Sequence, residues 1–210
     1  MSNSREQILQ KIKQALQHKV PVPFPAIPVN PHMFVPQGED DAALEFAANF
    51  STLQGRFSYC SNEAELALQL KSLFETRKWD KLYCRENEWQ NTLAGVGLGL
   101  QYSNDLATCD CAITGCEFLV ARTGSILLSS AHESGRTTSV YAPVHICIAY
   151  TSQLVHDIDD ALMQLRAKHG TYFPSLVSLA TGPSRTADIE KTLVVGVHGP
   201  KEVFCFLVQQ

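Results

Sequence analysis

Apolar residues recur at helical spacing near the start of the chain. Ile8, Ile12, Ala15 and Leu16 share one face while Lys11, Lys13, Gln14 and Gln17 lie elsewhere, which predicts a short amphipathic helix over residues 4–18. A helix that short needs a surface to pack on. The pattern then stops. Six of the ten prolines (Pro21, Pro23, Pro25, Pro28, Pro31 and Pro36) fall between Val20 and Pro36, which excludes helix and central strand and predicts an extended strap. Val22, Phe24, Ile27, Val29 and Phe34 between them suit a packed strap. It is either a tether lying on its own domain or an arm that reaches a second copy and supports a homo-oligomer. The expected organisation is an N-terminal helix and strap over residues 1–36, followed by one domain over 37–210.

From residue 39 helical and strand-like patterns alternate. A helix over about 40–54 carries Leu44, Phe46, Ala47 and Phe50, and Phe57-Ser58-Tyr59-Cys60 reads as a strand. Asn62 then stands as an N-cap before a helix bearing Leu66, Leu70, Leu73 and Phe74. Strand 81–84 and a helix from Glu86 to about Leu93 complete a second unit. Such alternation predicts right-handed crossovers and a parallel sheet covered by helices. Further on, Phe118-Leu119-Val120-Ala121 and Ile126-Leu127-Leu128 are apolar runs divided by Arg122-Thr123-Gly124-Ser125, a hairpin-like break with glycine where positive φ is easy. Strand 144–149, a helix from Asp157 to Lys168, strand 176–180, a helix containing Ile189 and a last strand at 203–208 follow. The fold class expected is α/β: a single open, mostly parallel, Rossmann-like sheet domain with an N-terminal helical arm.

Composition narrows the function classes. With 18% charged and 45% hydrophobic residues, the chain has too little charge for intrinsic disorder. A net charge of −4, from 17 basic and 21 acidic residues, provides no basic patch, so nucleic acid is not an expected partner. No run approaches the length of a transmembrane helix, and Met1 to Gln7 lacks the apolar region of a secretory signal, so membrane insertion is not expected. Seven cysteines, an odd number, suit free thiols in a reducing cytoplasm.

Several familiar motifs fail on inspection. Gly95-x-Gly97-x-Gly99 lacks the glycine a dinucleotide fingerprint needs at position 100, where Leu100 stands, and it follows a helix rather than a strand. His132-Glu133-x-x-Arg136 lacks the second histidine of a zinc-protease helix. Cys109, Cys111 and Cys116 have no fourth partner at metal-site spacing; they read as buried, inert thiols, and no metal is expected.

Polar residues gather in three segments. In Gly182-Pro183-Ser184-Arg185-Thr186-Ala187-Asp188-Ile189-Glu190 a strand gives way to an expected helix, whose free N–H groups and dipole favour an anion, with Ser184, Arg185 and Thr186 as further donors. The plainer alternative is a helix cap. One of Asp188 and Glu190 is expected to orient Arg185 or His198. Gly196-Val197-His198-Gly199-Pro200 sets an imidazole between glycines, either for acid–base work or as a solvated loop residue. Thr123-Gly124-Ser125 is the third contributor. The expected meeting place is the rim at the carboxyl ends of the strands, where open α/β sheets bind ligands.

On these segments, together with Ile113-Thr114-Gly115 and Pro143-Val144-His145-Ile146, the chain resembles the lactate utilization protein C family, built around the LUD domain. The resemblance covers about residues 40–208. It implies a fold similar to the sugar-phosphate isomerase and CoA-transferase group. It further implies a role in oxidising L-lactate to pyruvate beside partner proteins that carry the iron–sulfur clusters, with no cofactor in this chain. Under that reading the protein is a non-redox subunit that binds a partner or a small anion. The alternatives are an enzyme of isomerase, CoA-transferase or cyclo-ligase type acting on an anion, and a purely structural subunit. Members of the family often carry an acid before the Thr-Gly pair; here Arg122 stands in its place.

Overall fold

Long β-branched and aromatic runs such as Val144–Tyr150 and Glu202–Val208 are apolar on both sides, which suits strands buried between two layers. In the computed structural model, which describes residues 4–17, 42–186 and 194–210, they are the middle of the main sheet. The chain divides into two compact units, residues 1–35 and 36–210. The described part of the first is α1 (Ser4–Leu16), the expected amphipathic helix. The proline strap, and with it the expected oligomerising arm, lies outside the described residues.

The second unit is built on five parallel strands, β1 (Arg56–Cys60), β2 (Leu82–Cys84), β3 (Cys111–Thr114), β6 (Val144–Tyr150) and β11 (Glu202–Val208), in the order β1-β11-β6-β3-β2. β11 and β6 run in register over seven pairs from Glu202↔Val144 to Val208↔Tyr150. Alternate residues face opposite layers. Ile146, Ile148, Phe204 and Phe206 meet α3 (Glu63–Arg77) and α4 (Asn87–Gly95) through Leu66, Leu70, Trp89 and Leu93. On the other face Cys147, Val203, Cys205 and Leu207 meet Phe46 and Phe50 of α2 (Ala42–Thr52). The cap reading of Asn62 holds: its side chain accepts the Glu65 N–H at 2.9 Å.

A second sheet, not separated from the first by the sequence reading, packs on that same face. It joins β4 (Phe118–Val120), β5 (Ser125–Ser129), β7 (Leu154–Val155) and β8 (Val177–Ala180) in the order β7-β4-β5-β8, with the β4–β5 and β5–β8 pairs antiparallel. Leu119, Ala121 and Ile126 point to the first sheet, while Phe118, Val120 and Leu127 cover Ala161 and Leu165 of α6 (Ile158–His169). A short α5 (Thr138–Tyr141) leads into β6. No helix among the described residues is long and apolar enough to cross a membrane.

One strand was not anticipated, and one expectation changes. The cysteine-bearing stretch at 111–114 is a central strand, fully buried along its length. The expected helix does not begin at Ser184. Arg185–Thr186 form a two-residue strand, β9, paired antiparallel with β10 (Val194–Val195), because β-branched Thr186 and Val194 pair across it, as do Arg185 and Val195. The anion-binding helix N-terminus is therefore not formed by these residues. Asp188, Ile189 and Glu190 lie outside the described residues.

Candidate functional site

The Thr123-Gly124-Ser125 turn joins β4 to β5, with Gly124 at φ 58° as the hairpin reading requires. It is held against the end of α2: Asn49 Nδ2 donates to the carbonyls of Ala121 and Arg122, both at 3.0 Å. Ser125 Oγ lies 2.9 Å from Thr181 Oγ1, which ties the turn to the end of β8. Arg122 forms an ion pair with Asp157 at 2.6 Å, and Asp157 also caps α6. At the next step of the chain Gly182 packs on the Leu53 carbonyl, to which the Arg185 guanidinium also donates. Ser184 closes on the other motif. Its N–H donates to the Pro200 carbonyl at 2.9 Å, its carbonyl accepts from Gly196 N–H at 2.9 Å, and its Cβ leaves no room for a side chain on Gly199.

The motif segments are thus folded together, but on the opposite rim from the one expected. Gly196–Pro200 runs directly into β11, Lys201 N–H donates to the Pro143 carbonyl just ahead of β6, and Leu53 precedes β1. These are the amino ends of parallel strands. A cleft of about 650 Å³ opens here, lined by His198, Gly199 and Lys201, by Thr108 and Cys109 ahead of β3, and by Tyr141 of α5. Its described lining contains no acid. No described hydrogen bond joins Thr123, Gly124 or Ser125 to His198.

The carboxyl rim holds a cluster that the motifs did not indicate. Glu86, just after β2, is buried; its Oε2 accepts the Gly115 N–H at 2.8 Å, just after β3. Gly115 is required by close approach, since a Cβ there would stand 2.9 Å from Glu86 Oε2 and 2.7 Å from Trp89 Nε1. His132, in the loop after β5, sits between two carboxylates, with Nδ1 3.9 Å from Glu86 and Nε2 3.4 Å from Glu117. Glu117 is buried too. It accepts from Ser129 at 2.5 Å and Lys168 at 2.7 Å, and His169 Nε2 lies 3.1 Å away. Glu117 and then Glu86 raise the imidazole of His132 to about 10, so it is a cation at neutral pH. Burial pushes both carboxyls up, but His132 and their other donors outweigh it, and both lie below the ordinary range. Nearby, wholly buried His145 contacts Thr114 Oγ1 at 2.8 Å, and burial lowers it to about 4.

Cys109, Cys111 and Cys116 are buried, as inert thiols should be, and burial raises the thiols of Cys109 and Cys111. Among the described residues no group of three or more His, Cys, Asp or Glu is placed to hold a metal.

The LUD domain family model matches residues 100–208. An uncharacterized protein of Neisseria meningitidis serogroup B is 38% identical over 95 residues, 45% of this chain and 40% of that protein. Lactate utilization protein C of Bacillus subtilis is 37% identical over 98 residues, 46% of this chain and 41% of the relative. Its counterpart in Oceanobacillus iheyensis is 36% identical over 132 residues, 62% of this chain and 50% of the relative. The chain therefore spans half or less of the length of these relatives. In fold it is similar to the crystal structure of a DUF162 family protein from Deinococcus radiodurans, with a TM-score of 0.59 at 19% identity, covering 80% of this chain and 96% of that one.

Proposed function

The chain belongs to the LUD domain family, and from that premise we propose that it is a component of lactate utilization, a non-redox subunit that binds a small organic anion. The names of the relatives support the process. Iron–sulfur partner proteins would supply the electron transfer of L-lactate oxidation. The observation that carries the ligand class is the amino-rim cleft, whose described lining offers Lys201, His198 and the backbone of a glycine-flanked turn without any acid.

L-lactate and pyruvate are the first anions to test. Titrated into the labelled protein, they should shift the amide signals of Gly196 and Gly199, and Lys201→Ala should weaken that binding by about tenfold or more, the usual worth of a charge-assisted hydrogen bond. Unchanged affinity in Lys201→Ala would place the anion elsewhere. Catalysis by the chain itself is the second reading, and one observation favours it: the acid–histidine cluster on the opposite rim.

A further inference from the structure

We propose that the amino-rim cleft takes a monocarboxylic acid with an apolar body, an aryl- or alkyl-carboxylate larger than a three-carbon acid. The proposal rests on the anion reading of that cleft and names the class of anion. Its volume, about 650 Å³, lies in the range that encloses drug-sized ligands, so a three-carbon acid would leave most of it empty. The charged end is the turn before β11. There the N–H groups of Val197, His198 and Gly199 have no acceptor among the described residues, whereas those of Gly196 and Lys201 are taken by the carbonyls of Ser184 and Pro143. Successive free amides in a bend are the kind of donor row that holds a carboxylate. Gly196 leaves room for the Lys201 stem, which a side chain there would overlap. Lys201 is the one permanent charge in the described lining, which matches a single carboxylate better than a dianion such as phosphate.

The rest of the lining is apolar and uncovered. Tyr141 is 72% exposed, Val197 53% and Val140 44%, and all three line the cleft that holds Lys201, with exposed Pro143 beside them. Single exposed apolar residues need no explanation, but several around one cleft with a cation mark a surface that a ligand covers. The position of Tyr141 is set by packing. Ala142, the next residue, is wholly buried and packs with Ala112 of β3, which fixes the end of α5 while the Tyr141 ring stays outside the core. A carboxylate on the turn therefore leaves aromatic and aliphatic surface for the body attached to it.

The test titrates three probes into the full labelled chain: 4-phenylbutyrate, butyrate, which lacks the ring, and 4-phenyl-1-butanol, which lacks the charge. In amide NMR, 4-phenylbutyrate should shift Gly196, Gly199 and Tyr141 and bind about tenfold or more tighter than butyrate, as burying part of a phenyl ring requires. The alcohol should bind about tenfold more weakly than 4-phenylbutyrate. Tyr141→Ala should cut the advantage of 4-phenylbutyrate over butyrate to about threefold and leave butyrate affinity unchanged. Equal affinity for 4-phenylbutyrate and butyrate, both shifting Gly199, would overturn the proposal and leave the small-anion reading standing. Equal affinity for the acid and the alcohol would show apolar adsorption alone, and no shift at Gly196 or Gly199 with any probe would show an empty cleft; either result removes both the proposal and the anion reading beneath it. If Tyr141→Ala does not fold, the three probes on the unaltered protein still decide.

Discussion

Replacing Gly124 with alanine is expected to cost about 4 kcal/mol, from a left-handed backbone angle together with overpacking. Gly124 sits at φ 58°, and a Cβ there would stand 2.4 Å from the Phe50 backbone nitrogen and 2.7 Å from the Asn49 carbonyl carbon. These are backbone atoms of α2, so no side-chain rotation relieves the contact. Either the turn lifts away, losing the Asn49 hydrogen bonds to Ala121 and Arg122, or α2 moves off the core that Phe46 and Phe50 complete. Gly135→Ala is the control, since Gly135 has φ 65° but open space around it. It should cost only the backbone strain, about 1 kcal/mol. Thermal unfolding should show a drop of about 10 °C for the first variant and a few degrees for the second. Equal drops would mean that the turn does not bear on α2.

The second large effect is expected at Glu117. This buried carboxylate gathers Ser129, Lys168, His132 and His169, so Glu117→Ala removes the shared partner of several polar groups and should cost about 3 to 5 kcal/mol. Its pH signature is specific. The folded pKa of Glu117 is depressed, so its contribution is full above the ordinary carboxylate value and is lost as pH falls from there toward the depressed folded value. His132 is raised to about 10, so its contribution is full below about 6.5 and is lost as pH rises toward 10. His145, kept neutral by burial with a value of about 4, adds a loss as pH falls from about 6.5 to 4. Unfolding midpoints measured across pH should therefore decline on both sides of neutrality. In Glu117→Ala the alkaline decline should shrink, because the main cause of the His132 shift is gone, while the His145 decline persists. An unchanged alkaline limb would show that Glu117 does not hold His132 charged.

Much of the fold was legible because local signals agreed. Asn62 announces α3, the Val144 and Glu202 strands are uninterrupted apolar runs, and Gly124 marks a hairpin that forms as expected. The strand at Cys111–Thr114 was harder to see, being four residues long and following the polar turn at Asp105–Asp110. Arg185–Thr186 could not announce itself as a strand, because two residues have no periodicity and their pairing with Val194–Val195 comes from across the 187–193 connection. The amino-rim position was in principle readable: in a parallel sheet, the turn that immediately precedes a strand lies at its amino end, and Gly196–Lys201 immediately precedes β11. The carboxyl-rim cluster was not. The β4–β5 hairpin sets Glu117 beside the loop that carries His132, but Glu86 joins them from across the β2–β3 crossover, and the one local hint is Glu117 as the lone acid in the buried run from Cys111 to Val120.

The central claim is that this chain takes part in lactate utilization, and the most direct test is L-lactate oxidation to pyruvate by extracts of the source organism with and without its gene. Oxidation should be lost in the deletion, regained when the intact chain is added back, and regained poorly with Lys201→Ala. Undiminished oxidation in the deletion extract would contradict the account.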